Sequence, residues 1–325
     1  MPPDIDAKQS VEVSLLIIFL NLGKNMKKFK LFNSVAIAIS LLGLPAISST
    51  AFGADDVEEV VAVGSRREAR SVGDSPAPVD IITGSDFVNQ GAMDLPDMIR
   101  TLVPSFNVGT QPISDAATLI RPANLRGLPP DNMLVLVNGK RRHRGAVISF
   151  LGSGISDGAQ GPDISAIPSI ALKQVEVLRD GASAQYGSDA IAGIMNFVLR
   201  DDSEGTQLEI RTGEYKEGDG DAWRVAANIG MPFTSAGFAN FSFELQDSQA
   251  TSRSVQRADA QGLYDGGNTA IWNYPEPAQI WGSPDVSDDY KFVVNIGLSL
   301  DESKDFYLFG NYGERNVLGG FFFRN

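Results

Sequence analysis

Cysteine is absent from the 325 residues and histidine occurs once, at His143. Without thiols there is no disulfide framework and no thiolate nucleophile. A single imidazole builds no Cys/His zinc site, and no Ser or Asp arrangement accompanies it to suggest a catalytic triad. Positive charge is also scarce: 27 Lys and Arg face 40 Asp and Glu, a net charge of −13. A nucleic-acid partner, which needs a basic face to neutralise phosphates, is therefore disfavoured. What remains is 43% hydrophobic and 21% charged, a composition that folds. Thirty-three glycines and 18 phenylalanines suit strands, tight turns and aromatic girdles better than helical bundles.

From Met26 the chain reads MKKFKLFNSVAIAISLLGLPAISSTAFGADD. Three lysines lead an apolar stretch from Leu31 to Leu44, followed by small residues at Ala51 and Gly53. This is the pattern of a secretory signal peptide, residues 26–53. The stretch is about 14 residues long and interrupted by Asn33, Ser34 and Ser40, short of the roughly 20 that a spanning helix needs. Residues 1–25 have no place in such a signal and read as an upstream extension, with translation starting at Met26. Cleavage would leave 22 basic against 37 acidic residues, a net charge of −15.

Residues 54–78 form a leader. Its run Glu58-Glu59-Val60-Val61-Ala62-Val63 is β-rich, and the Pro76/Pro78 pair will not sit inside a packed element. An extended segment on a tether suits addition to another protein's sheet edge; pairing within its own domain fits the composition equally well. From Val79 to Arg200 the pattern is mixed α+β. Ser85 to Gln90 fits one capped helical turn. Asp94 N-caps a helix with Leu95, Met98, Ile99 and Leu102 on one face, ended by Pro104. Strands are expected at Asn124–Leu128, at Met133–Val137 followed by an Asn138-Gly139 hairpin turn, in LKQVEVLRD and in residues 193–200. The continuous apolar run 133–137 implies a strand covered on both faces.

After Asp201 come five segments of about ten residues each with alternating polarity. Leu208 and Ile210 oppose Glu209 and Arg211; Phe241, Phe243 and Leu245 oppose Ser242, Glu244 and Gln246. A soluble sandwich gives the same alternation. Connection lengths discriminate: MPFTSAG and DESKD are short and fall on one side, while about 40 residues from Gln249 to Asp289 fall on the other with the KEGDG tip. That asymmetry favours a transmembrane β-barrel.

The stretch IPSIALKQVEVLRDGASAQYGSDAIAGIMNFVLR then becomes legible. With Asn124-Leu125-Arg126-Gly127-Leu128 and Val135-Leu136-Val137-Asn138-Gly139-Lys140, it resembles the plug domain of TonB-dependent outer-membrane receptors, and residues 58–63 resemble their TonB box. The resemblance covers the chain from Met26 onward. It implies an α+β plug at 79–200 followed at 201–325 by the first antiparallel strands of a transmembrane barrel. Of roughly 22 strands in such a barrel about five are legible, so the chain reads as a non-transporting fragment. It implies the outer membrane as location and lipid as surroundings, and capture of Glu58, Glu59, Val60, Val61, Ala62 and Val63 by the periplasmic domain of TonB through strand addition. A ligand of unknown identity is implied too: an iron chelate, cobalamin, oligosaccharide or peptide. No catalytic residue, cofactor or metal is implied. Asp180-Gly181 stands where many siderophore receptors have Gly-Pro, which weakens a siderophore assignment.

The same resemblance marks Arg126, Gly127, Arg179, Gly181, Tyr186, Gly187, Gly193 and Asn196 as a plug structural motif. Gly181, Ala182, Ser183, Ala184, Gly187, Ser188, Ala190, Ala192 and Gly193 are expected to be close-packing positions, and Tyr186 an amphipathic plate. Arg126 and Arg179 are expected to face acidic groups on the barrel wall. Other candidates are weaker. Gly152-Ser153-Gly154 lacks phosphate-loop spacing, Lys140–Arg144 reads as a solvated basic arm, and Glu217, Asp219 and Asp221 as a solvated turn rather than a calcium site. Asn240-Phe241-Ser242 matches a glycosylation acceptor but lies in a strand of an exported bacterial-type chain. The competing architecture is a secreted α/β domain followed by a ligand-binding β-sandwich.

Overall fold

Two short antiparallel pieces, β1 (Val60–Val61) and β2 (Arg70–Ser71), pair in the leader, with Val60 opposite Ser71. The computed structural model describes residues 60–61, 70–71, 79–110, 117–149, 154–179, 182–268, 270, 282–301 and 304–319, all within the compact unit Glu58–Asn325. The expected signal, the upstream extension and Glu58, Glu59, Ala62, Val63 and Gly181 lie outside the described residues.

The α+β part begins with β3 (Val79–Thr83), α1 (Gly84–Val88) and α2 (Leu95–Leu102). Thr83 and Asp86 form a reciprocal capping box on α1. On α2 the Asp94 carboxylate accepts from the Asp97 amide at 3.0 Å, Pro96 occupies the first turn, and Leu95, Met98 and Ile99 are buried. β4 (Phe106–Val108) pairs with β5 (Ala123–Leu125), the latter following α3 (Ala117–Ile120). The strand expected to run to Leu128 stops at Leu125. Arg126 and Gly127 take φ of 55° and 73°, and the Leu128 amide turns back onto the Leu125 carbonyl.

β6 (Met133–Val137), β7 (Lys140–Arg141), β8 (Leu172–Leu178) and β9 (Gly193–Leu199) complete a sheet of order β3-β8-β9-β6-β7, in which only β6 and β9 are parallel. Every residue of β6 is buried: Met133, Val135 and Val137 enter the main core with α2, while Leu134 and Leu136 enter a second cluster on the opposite face. That two-sided cover explains the unbroken apolar run. Asn138 and Gly139 both have positive φ, 47° and 72°, the geometry of a type I′ turn. α4 (Ser183–Tyr186) lies between β8 and β9.

The remaining strands are β10 (Thr206–Gly213), β11 (Ala222–Pro232), β12 (Gly237–Ser248), β13 (Asp285–Asp301) and β14 (Lys304–Leu318), an antiparallel meander in chain order. The connections from β11 to β12 and from β13 to β14 are short and share one end. The tip 214–221 and the long connection 249–284, which carries α5 (Ala258–Asp265), share the other.

One face of this meander packs on the α+β part, and it is the polar one. Arg224, Asn228, Asn240, Ser242, Glu244, Lys291 and Asn295 are buried, whereas Leu208 is 60% exposed, Leu308 46% and Phe292 43%. A soluble sandwich would do the reverse, burying its apolar phase. Apolar residues occur on the inner face too, at Ala226, Val293 and Phe309; Val293 joins the main core, against which Phe309 also packs.

Candidate functional site

The wall strands carry charge at mid-strand on the phase that faces inward. Glu244 and Lys291 are directly opposed in register and pair at 2.6 Å; Lys291 also reaches Asp289 at 3.3 Å. Arg211 and Arg224 are opposed too, a like-charge pair that Glu209 bridges, accepting from Arg211 and lying 3.1 Å from Arg224. Arg224 closes the chain with Glu244 at 2.6 Å. Three bases and three acids from four strands thus neutralise one another where burial makes a bare charge costly.

Onto this network the α+β part docks mainly with neutral acceptors. Arg224 donates to Ser169 Oγ at 2.7 Å, and Arg211 donates to backbone carbonyls at the end of α1 and just after it. Arg315 on β14 donates to the Leu119 carbonyl and approaches Asp163 at 3.8 Å. A second node is made of amides: Asn138 Nδ2 donates to Asn295 Oδ1 at 3.3 Å, and Asn295 Nδ2 to the Arg200 carbonyl at 2.9 Å. Asn138 Oδ1 accepts from the Leu199 amide at 2.8 Å, so one hairpin residue ties β6, β9 and the wall together.

Asn196, one of the expected motif residues, is fully buried. Its Oδ1 accepts from the Gly139 amide at 2.9 Å and its Nδ2 donates to the buried Glu176 at 3.0 Å, which holds the hairpin turn against the sheet. Gly193 is a true close-packing position: a Cβ there would lie 2.3 Å from the Leu178 carbonyl oxygen. Ala190 and Ala192 are buried as expected. Ser183, Ala184, Gly187 and Ser188 are not packed positions; they are exposed in and after α4. Gly187 caps that helix at φ 93° with open space where a Cβ would stand, so backbone freedom and not proximity is what it supplies. Gly127 likewise serves the left-handed turn. Tyr186 packs on the second cluster, and its carbonyl accepts from Arg141 at 3.1 Å.

Arg126 and Arg179 meet no acidic group on the five described wall strands. Among the described residues Arg179 pairs with Asp80, at 2.6 Å for Nη2, and Arg126 donates to the Arg179 carbonyl at 2.7 Å. Both partners lie on the α+β part and neither on the wall, because β3 and β8 present them side by side. The basic arm 140–144 is not simply solvated. Arg141 and Arg144 pair with Asp189, Arg144 also with Asp131 at 3.4 Å, and Arg142 donates to Asn311 on the wall at 2.6 Å.

Among the described residues no cluster of three or more Asp, Glu or His is placed to hold a metal ion. At the 214–221 tip, Arg253 from the long connection pairs with Asp219 at 2.6 Å and Glu217 at 3.2 Å, and lies 5.6 Å from the Tyr215 ring. Its hydrogen bonds hold the Asp219 carboxyl below the ordinary range.

The wall residues Arg211, Arg224, Glu244, Lys291 and Asn295 were not singled out as site residues by sequence. Their one signal is phase: each sits on the polar side of an amphipathic strand.

A family profile described as "TonB-dependent Receptor Plug Domain" matches residues 71–194, which span the α+β part from β2 into β9. This chain carries the plug domain of TonB-dependent receptors. Among curated relatives it is 26% identical over 185 residues to the vitamin B12 transporter BtuB of Photobacterium profundum, covering 57% of this chain and 27% of the relative. It is 30% identical over 178 residues to an iron-regulated outer membrane virulence protein of Vibrio cholerae, covering 53% and 25%. Among solved structures the fold resembles the Pseudomonas aeruginosa ferric enterobactin receptor in complex with enterobactin, with a TM-score of 0.55 at 18% identity over 74% of this chain and 33% of that one. The siderophore receptor PirA of Acinetobacter baumannii gives 0.53 at 19%, over 74% and 32%. The chain therefore spans about a quarter to a third of these relatives. As a receptor plug followed by receptor wall strands it is an outer-membrane component and not an enzyme. Its exposed apolar phase is the one a transmembrane barrel turns to lipid.

Proposed function

We propose that this chain supplies the plug, the TonB-capture leader and the first wall strands of an energy-coupled importer for a scarce ligand such as an iron chelate, cobalamin or oligosaccharide. The observation that supports it is the reversed polarity of the wall: apolar residues outward, a neutralised polar face inward, and a plug domain seated on that face. Ligand would meet the end carrying the tip 214–221 and the long connection with α5. The plug boundaries 79–200 follow the first sheet from β3 to β9, and residues 54–78 form the leader.

TonB is proposed to capture Glu58, Glu59, Val60, Val61, Ala62 and Val63 by strand addition. One edge of β1 is taken by β2; the other is open to a partner among the described residues. Successive amides of a strand point to opposite edges, so Val60→Pro and Val61→Pro together remove a donor from each edge. Binding of the purified periplasmic domain of TonB to the solubilised full chain should fall at least tenfold in one of the two variants. Undiminished binding in both would reject the assignment.

A further inference from the structure

A guanidinium carries five N–H donors, and Arg211 uses all five. Nε donates to Glu209 on its own strand. Nη1 donates to the carbonyls of Gln90 and, at 3.0 Å, Ala92. Nη2 donates to those of Phe87 at 3.1 Å and Val88 at 3.0 Å. The side chain is 14% exposed. The four carbonyls belong to the end of α1 and the coil after it, where a helix leaves acceptors without intrahelical partners and presents the negative end of its dipole. Among the described residues Arg224 gives the plug one bond, and so does Arg315.

We propose that Arg211 is the positioning residue that fixes plug segment 84–92 to the wall, and that the wall's internal charge balance makes it a releasable latch. This rests on the reading of the chain as plug and wall. The charge of Arg211 is matched by Glu209, and that of Arg224 by Glu209 and Glu244, all on the wall. The plug contributes neutral carbonyls to Arg211 and a hydroxyl to Arg224. Withdrawing the segment therefore breaks hydrogen bonds but strands no carboxylate or guanidinium, whereas parting a buried ion pair leaves a bare charge, the expensive outcome. Asp94, a plug carboxylate close to this segment, is already engaged by Arg121 and by the Asp97 amide. Arg211 of the wall thus holds the segment itself, and Arg121 of the plug holds the chain just beyond it.

The absence of cysteine lets one introduced thiol report on one place. Ala92→Cys reads the latched segment, and Ala123→Cys, in the buried core at β5, reads the plug as a whole. Each is placed in the full chain in detergent micelles and the rate of maleimide labelling is measured. Arg211→Gln should speed labelling at position 92 at least tenfold and leave position 123 unchanged. Arg211→Lys, with three donors and the same charge, should fall between it and the parent. Glu209→Gln keeps an acceptor for Nε but removes the balancing charge, and should slow labelling at position 92. An unchanged rate at 92 in Arg211→Gln, equal acceleration at both positions, full protection in Arg211→Lys, or faster labelling in Glu209→Gln would overturn the latch. None of these readouts involves TonB or a ligand, so their outcome is independent of the capture experiment.

Discussion

A side chain at position 193 would bring its Cβ 2.3 Å from the Leu178 carbonyl oxygen and 2.9 Å from Leu125 Cδ2, at a φ of 141°. Gly193→Ala should cost about 3 kcal/mol, because backbone must move and the conformation is unfavourable for any L side chain. Gly187→Ala meets only the second difficulty and should cost about 1–2 kcal/mol. Urea titration of the folded chain, followed by limited proteolysis of the plug, separates the two. The Arg121 fork makes a residue-scale pH device. Burial disfavours the Asp94 carboxylate, but the Arg121 charge and the Asp97 amide outweigh it and hold its pKa down. Asp97 is pushed up by burial and by the adjacent Asp94 charge, which Arg121 only partly offsets. A lowered acid pKa contributes stability above the unfolded value, lost as pH falls through the folded one. A raised acid pKa costs stability above the folded value, and that cost is relieved as pH falls through it. Asp94→Asn should therefore lower the melting temperature at pH 7 and blunt the loss seen below the ordinary carboxylate range. Asp97→Asn should remove the relief seen on mild acidification. Thermal melts between pH 3 and pH 7 check both.

Strands β10–β14 repeat one rule, apolar out and polar in. Phe243 sits at the middle of β12, opposite Ala227 and Phe292 on its neighbours, and the Phe241 and Phe292 rings lie 6.5 Å apart on the same face. Tyr290 and Tyr312, 6.2 Å apart toward the long-connection end, sit where an aromatic girdle meets the membrane boundary. Phe243→Arg should cost about 2–4 kcal/mol in lipid, and its recovery in the outer-membrane fraction should fall well below the parent's. Recovery equal to the parent would contradict a lipid-facing β12. The plug elements obey the opposite rule: β6 is apolar on both faces because both are covered, and α2 is held by a cap and one buried stripe.

At the scale of the molecule the plug covers the inner face of five wall strands, and among the described residues β10 and β14 form the two edges of that sheet. An open edge leaves backbone N–H and C=O groups that hydrocarbon does not satisfy. The 325-residue chain alone, placed in vesicles, should give no more flux of cyanocobalamin or of a ferric catecholate than empty vesicles do. Flux above that background would contradict an open wall. The electrostatics belong to this scale as well. Wall charges pair mostly with wall charges, plug charges mostly with plug charges, and the contacts between them are mainly hydrogen bonds to neutral groups.

Local chemistry was readable in the chain itself. The Asp94 cap, the Asn138-Gly139 turn, the two-sided strand 133–137 and the amphipathic segments after residue 201 each follow from residue types at fixed spacing, and the run 167–200 carried the family likeness. Alternation alone could not say which phase of the wall is inside, since lipid and a protein core accept the same apolar face. Packing decided that, by burying Glu244 and Lys291 and leaving Leu208 outside. Sequence did not foresee the Arg179–Asp80 pair, because a guanidinium reaches whatever acceptor the fold brings near, and here β3 brought Asp80. The five-donor engagement of Arg211 lay wholly beyond reach of the sequence. Its four plug acceptors are backbone carbonyls, which every residue possesses, and only folding brings positions some 120 residues apart into contact.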